Sequence, residues 1–286
     1  MKQVAAAGEM KDKAGRAVES GQAGTWIEWL ARFGYAIRGV LYAVVGLLAL
    51  QVAFGVGGAT TTKGGALTTI AGEPFGKFLM VLVLIGLIGY SLWGLVRAIL
   101  DPLHRGGDPK GLAQRAGYLV SAVSYGALII PAFQLISGSG AKSGGAGTDW
   151  TAKLMSEPFG QWLVGIAGLI GIAGGLGQIY QGYNGSYKKD FKSWEMSART
   201  MEWATWAARI GMAARGVVFA LAGFFLIQAA LTSDPKKAKG LDGALQTLAH
   251  QPYGPWLLGF VAAGLVAFGI YSMICARYIK IRPTSR

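Results

Sequence analysis

A chain of 286 residues that is 52% hydrophobic and only 14% charged has too little polar surface for a water-soluble fold of that length, because soluble domains carry about 25% charged residues. A net charge of +13 would point to nucleic acid in a soluble protein; here anionic lipid headgroups attract the same charge, and no nucleic-acid partner is inferred. The single cysteine, Cys275, excludes an intrachain disulfide framework and a thiolate metal cluster.

In chain order, Met1–Gly24 is polar and mixed in charge and lacks the apolar stretch of a secretory signal. It reads as an N-terminal cytoplasmic tail, residues 1–24. Six apolar segments follow, near Phe33–Gly55, Phe78–Leu100, Ala116–Ser137, Gln161–Tyr183, Ile210–Leu231 and Trp256–Ala276. A helix needs about 20 residues to cross a hydrocarbon core, and all six reach that length. None alternates polar and apolar residues as a membrane β-strand would, so the segments are predicted to be helices.

Two landmarks recur along them. Arg32-Phe33-Gly34-Tyr35-Ala36-Ile37-Arg38-Gly39 opens the first segment. Related stretches open the third, at Arg115–Ala122, and the fifth, at Arg209–Gly216. Glu73-Pro74-Phe75-Gly76, Glu157-Pro158-Phe159-Gly160 and Gln251-Pro252-Tyr253-Gly254 precede the second, fourth and sixth. Arg32 and Arg115 are 83 residues apart and Pro74 and Pro158 are 84; the next intervals are both 94. Matching offsets at two separate landmarks mark a triplicated unit. The predicted fold is an all-α integral membrane protein with six transmembrane helices. They form three tandem helical hairpins with approximate threefold pseudo-symmetry along the membrane normal. The repeats span residues 25–107, 108–200 and 201–280, and residues 281–286 form a C-terminal tail.

Six spans leave both termini on one side. The tail, the even-numbered connections and the C-terminus carry eighteen Lys and Arg, whereas the odd-numbered connections carry seven. The excess places both termini in the cytoplasm. Trp26 and Trp29, and Trp203 and Trp206 at the equivalent position, suggest short interfacial helices on that face. Phe75, Phe159 and Tyr253 are expected to anchor the opposite interface.

Three constellations stand out within the spans. Gln51, Gln134 and Gln228 each lie 19 residues after a motif arginine. They could form a polar ring on the repeat axis, or each could bond a neighbouring helix. Arg38 and Arg215 are the full charges set well inside spans, with Ser121 at the equivalent place in repeat two. They could snorkel to headgroup phosphates as a lipid or anion contact, or bond carbonyls. Gly165, Gly168, Gly171 and Gly175, with Gly174 beside them, give the fourth span a surface for close helix packing.

No histidine, aspartate or glutamate falls within these apolar segments. Helix-ligated haem and a conventional intramembrane proton relay therefore lack their usual groups. His104 and His250 sit in opposite connections. No metal, cofactor or catalytic set is expected, and enzyme activity is not expected.

The repeated landmarks resemble a bacterial membrane family, the domain of unknown function 1206 family. The resemblance covers Trp26 to about Arg277. It implies three tandem two-helix repeats in a bacterial inner membrane, and it carries over no catalytic or binding residues. The expected role is a non-enzymatic scaffold or accessory subunit that binds membrane lipids, a partner membrane protein or another copy of itself. The alternative is a small-solute channel or transporter with its path near the repeat axis.

Overall fold

A computed structural model describes residues 21–56, 60–102, 106–139 and 146–281. The readings made for residues 1–20 and 282–286, and for His104, lie outside them. The helices are α1 Gly21–Ala53, α2 Lys63–Gly72, α3 Gly76–Ile99, α4 Pro109–Gly126, α5 Ile129–Ser137, α6 Ala146–Met155, α7 Gly160–Asn184, α8 Ala198–Thr232, α9 Leu241–Ala249 and α10 Gly254–Tyr278. Among the described residues, extended pairing is limited to one isolated bridge between Phe191 and Ile279.

Six segments are long and apolar enough to cross a membrane: Glu28–Ala53, Gly76–Ile99, Gly111–Ser137, Gly160–Asn184, Ala198–Thr232 and Gly254–Tyr278. The chain is a multi-pass membrane protein in architecture. The third span is broken into α4 and α5. Pro131 has no N–H to donate, and its ring crowds the carbonyl of Ala127, four residues earlier. The break falls there, at Ala127 and Leu128, between the two helices.

The tryptophan pairs correct one expectation. Trp26 and Trp29 are exposed, as are Trp203 and Trp206. However, they belong to the continuous helices α1 and α8, of 33 and 35 residues, and not to separate surface helices. Such helices are about 50 Å long at 1.5 Å per residue, so their first turns project beyond a core about 30 Å thick.

The [EQ]-P-[FY]-G landmark is one turn built three times. The N–H groups of Gly76, Gly160 and Gly254 donate to the carbonyls of Glu73, Glu157 and Gln251 at 2.8, 2.9 and 2.7 Å. Phe75, Phe159 and Tyr253 are left-handed, with φ of 63°, 63° and 61°, a conformation uncommon for aromatic residues. The glycine is required because a β-carbon there would collide with the carbonyl of Ala71, Leu154 or Ala249. The turn throws each aromatic ring outward, at least 80% exposed in all three repeats.

Helix pairing follows chain order. α1 packs on α3, α3 on α4 and α5, α7 on α8, α8 on α10, and α10 on α1. Among the described residues no extended contact joins α4 or α5 to α7. The row of helices is thus an incomplete ring with a seam between the two halves of repeat two. The spans on either side of that seam are only 17% buried, against 44% for the first, second and sixth.

Small residues show the same pattern. Between successive repeats, added β-carbons would meet the next helix at Gly216 (2.5 Å to Gly175 O) and Gly39 (2.9 Å to Gly269 O); at Gly94 one would lie 2.8 Å from Ala122 Cβ. Within repeat one, Gly34 would meet Tyr90 N at 2.5 Å; within repeat three, Gly211 would meet Phe268 N at 2.5 Å. The repeat-two counterparts are Gly117 and Gly174, and neither has any neighbour within 4 Å of such a carbon.

A candidate anion site inside the helix ring

The motif arginines come first along the chain. Arg32 donates to the carbonyls of Ala276 and Arg277 at the C-terminus of α10, and holds Glu28 at 2.7 Å. Arg115 donates to the carbonyls of Ala98 and Ile99 at the end of α3, at 2.9 and 3.1 Å. A cation is favourable at carbonyls left unpaired at a helix C-terminus. Each of these repeats therefore caps the helix that precedes it around the ring. The helix before Arg209 ends differently: Gly185, with φ of 68°, donates to Gln181 O and closes α7 by itself.

Deeper in the ring lies a cluster of cations and aromatic rings. The outward reach considered for Arg38 is corrected by the structure. Arg38 is only 7% exposed. Its Nε donates to Ser272 Oγ at 3.1 Å and one terminal nitrogen donates to Tyr90 OH at 2.6 Å. Its guanidinium carbon lies 4.9 Å from the Tyr35 ring and 4.9 Å from the Phe268 ring. Helix phase is the reason: Arg38 shares a face with buried Tyr35, Tyr42 and Val45 and turns inward with them.

Arg215 is half-buried and approaches the same phenylalanine, 4.8 Å from the ring centre. Its Nε donates to Tyr42 OH at 2.6 Å, and a terminal nitrogen donates to Gln178 Oε1 at 2.8 Å. Lys63, at the start of α2, extends its ammonium to 4.2 Å from the Tyr125 ring and 5.2 Å from the Tyr42 ring. Burial holds that ammonium below its usual pKa range; the Tyr42 phenol opposes the shift and Arg215 adds to it. Tyr125 packs on Tyr90 with ring centres 4.5 Å apart. Arg97, 6% exposed, sits beside this group, 4.1 Å over Tyr118 and 5.8 Å over Tyr35.

Four cations thus share one aromatic interior. None of them forms an ion pair with a carboxylate among the described residues. Each cation–ring contact is worth about 0.5–2 kcal/mol, while burying charge without a counterion is expensive. The Tyr125 hydroxyl and Arg97 Nε are buried with no hydrogen-bond partner among the described residues.

The glutamines are placed differently from a polar ring. Gln51, Gln134 and Gln228 are all exposed. Gln51 shares its helix face with exposed Leu47 and Phe54, Gln134 lies beside exposed Ile130 and Phe133, and Gln228 follows exposed Phe224. These are outward apolar faces, so the three amides do not converge on a constriction.

The fourth-span glycines meet α8. A β-carbon at Gly168 would lie 2.7 Å from Gly223 O, at Gly175 2.5 Å from Gly216 O, and at Gly171 3.2 Å from Gly223 Cα. Gly165 has ordinary room, 3.7 Å from Ala230 Cβ.

The model of the Domain of Unknown Function family DUF1206 matches three times, at residues 33–101, 116–185 and 210–278. The chain belongs to the DUF1206 family. The three matches coincide with the three helical pairs described above. A relative in Bacillus subtilis (strain 168), "Uncharacterized protein YxxB", is 35% identical over 253 residues, covering 88% of this chain and 91% of that protein. No solved structure matches this DUF1206 chain.

Two members of the cluster escaped the sequence reading. Arg97 lies in the last turn of α3 and Lys63 lies in an odd-numbered connection, positions that hydropathy alone assigns to the membrane interface. A usable signal was present. Tyr42, Tyr125 and Phe219 occupy one repeat position, and an aromatic residue held three times inside an apolar helix marks an interior face. The Phe219 ring lies 4.5 Å from the Arg215 guanidinium carbon.

Proposed function

We propose that the protein is a non-enzymatic scaffold or accessory subunit of a bacterial inner membrane that binds membrane lipid in the open seam of repeat two. One observation carries this reading: Gly117 and Gly174 face open space where their counterparts in repeats one and three are packed against a helix backbone. The walls there are apolar, with Val120 53% and Ile170 56% exposed. A slot of that character within a membrane span suits an acyl chain. The interior chemistry suits binding, since cations and phenols supply charge and hydrogen-bond donors. The excess of Lys and Arg on one side of the spans supports cytoplasmic termini. The outward glutamines supply no polar line for a channel on the axis.

The test is lipid retention. Native mass spectrometry after detergent exchange is expected to find phospholipid on the wild type. Val120→Trp and Ile170→Trp, which fill the seam, should retain less, whereas Leu47→Trp on the outer face should match the wild type. Equal retention by all four proteins would overturn the reading. Sidedness is tested separately in a Cys275→Ser background. Ser139→Cys is expected to react with an impermeant thiol reagent on intact cells, and Ser193→Cys is not.

A further inference from the structure

We infer that the interior cluster of Arg38, Lys63, Arg215 and Tyr125 is a binding site for a phosphate-type oxyanion, either free or as the headgroup of a lipid.

Charge balance is the first ground. Arg38, Lys63 and Arg215 converge on a single set of rings, Tyr42, Tyr125 and Phe268. No carboxylate among the described residues pairs with them. Cation–ring contacts offset part of the desolvation cost but leave the net charge in place. An anion would neutralise it.

The donors left over are the second ground. Arg38 and Arg215 each use two of three guanidinium nitrogens on protein acceptors, Ser272 and Tyr90 for one, Tyr42 and Gln178 for the other. The Tyr125 hydroxyl is buried and has no partner among the described residues. Buried hydroxyls are normally bonded, so an unpartnered one on a ring that holds an ammonium 4.2 Å from its centre marks a place for an acceptor. Guanidinium, ammonium and phenol together suit an oxyanion with several acceptor oxygens, and guanidinium in particular forks onto phosphate.

Access is the third. Lys63 and Arg215 are half-buried, not sealed. Tyr125 comes from the α4 side of the seam and Gln178 from the α7 side, so the two walls flanking the opening both contribute to the cluster.

The inference stands independently of lipid entering the seam, and its test separates the two. Purified protein in lipid-free detergent is titrated with inorganic phosphate at constant ionic strength set with sodium chloride, following the thermal unfolding midpoint. In parallel, the protein is reconstituted in phosphatidylcholine nanodiscs with and without phosphatidylglycerol. Lys63→Gln and Tyr125→Phe are compared with the wild type and with Arg277→Gln, outside the cluster. Phosphate is expected to raise the midpoint of the wild type and of Arg277→Gln, and Lys63→Gln is expected to weaken its apparent affinity at least tenfold. Tyr125→Phe keeps the ring and deletes only the unpartnered hydroxyl, so it should fold normally and still lose affinity. A response to phosphatidylglycerol alone would keep the site and identify the headgroup as its ligand. No response to either probe, or an equal response in wild type, Lys63→Gln and Tyr125→Phe, would overturn the inference and leave the cluster as a cation–aromatic brace between helices.

Discussion

Repeats one and three differ from repeat two at one interface, and the difference shows what closes a hairpin in this protein. In repeat one the Gly34 backbone seats on Tyr90, and Arg38 donates to the Tyr90 hydroxyl. In repeat three Gly211 seats on Phe268, and Arg215 stacks over that ring. Repeat two has Gly117 for the small residue, but Ser121 replaces the arginine and Gly174 replaces the aromatic ring. The glycine that permits close approach is present, and the cation–ring pair that rewards it is missing. Contacts between successive repeats are kept at all three junctions, including Ser91 Oγ donating to Ala122 O at 2.8 Å where the other junctions use glycine. The ring therefore stays assembled while one hairpin stays open.

The sharpest way to break this comparison is to place the same bulky residue at the three equivalent glycines. Gly34→Leu and Gly211→Leu should each cost about 3 kcal/mol or more, because each drives a side chain into the facing backbone. Gly117→Leu should stay within about 0.5 kcal/mol of wild type, since nothing lies within reach. Unfolding midpoints in mild detergent measure all three, and equal losses would mean that repeat two is closed.

A second contrast lies within α7. Gly175→Leu should cost about 2–3 kcal/mol against the Gly216 carbonyl, and Gly171→Leu about 1–2 kcal/mol against Gly223. Gly174→Leu, one residue from Gly175 and facing the seam, should be nearly neutral in the same unfolding assay. A large loss at position 174 would count against the open seam.

The smallest expected effect concerns the caps. Arg115→Gln removes a charge-assisted cap from the end of α3 and should cost about 0.5–1 kcal/mol. Arg209→Gln should cost less, because Gly185 already closes α7. If the Arg209 variant proves the more costly, the capping account of the motif arginine fails.

Much of the fold was legible in the sequence because it rests on hydropathy and repetition, which are properties of one chain segment at a time. The six spans and the three repeats have that character, and the repeated landmark at Phe75, Phe159 and Tyr253 marks where the even-numbered spans begin, although its left-handed turn is seen only in the structure. The inward phase of Arg38 is also encoded, by its spacing from Tyr35 and Tyr42, but no acid in the apolar segments marks an interior partner for it. The interior cluster was harder to see. Lys63 belongs to a connection, and only the path of α2 brings its ammonium to Tyr42 and Tyr125. The seam was hardest, because Gly174 looks like one more packing glycine until Tyr90 and Phe268 are set at the same repeat position.

Cysteine cross-linking across the seam tests the central claim most directly. In a Cys275→Ser background, the pair Gly117→Cys and Gly174→Cys is compared with Gly94→Cys and Ala122→Cys after mild oxidation in membranes. A disulfide requires Cα atoms within about 7 Å. The Gly94–Ala122 pair, already in contact at an inter-repeat junction, is expected to cross-link, and the Gly117–Gly174 pair is expected to remain reduced. Efficient cross-linking of Gly117→Cys to Gly174→Cys, at the rate of the control pair, would show a closed hairpin in repeat two and contradict the account.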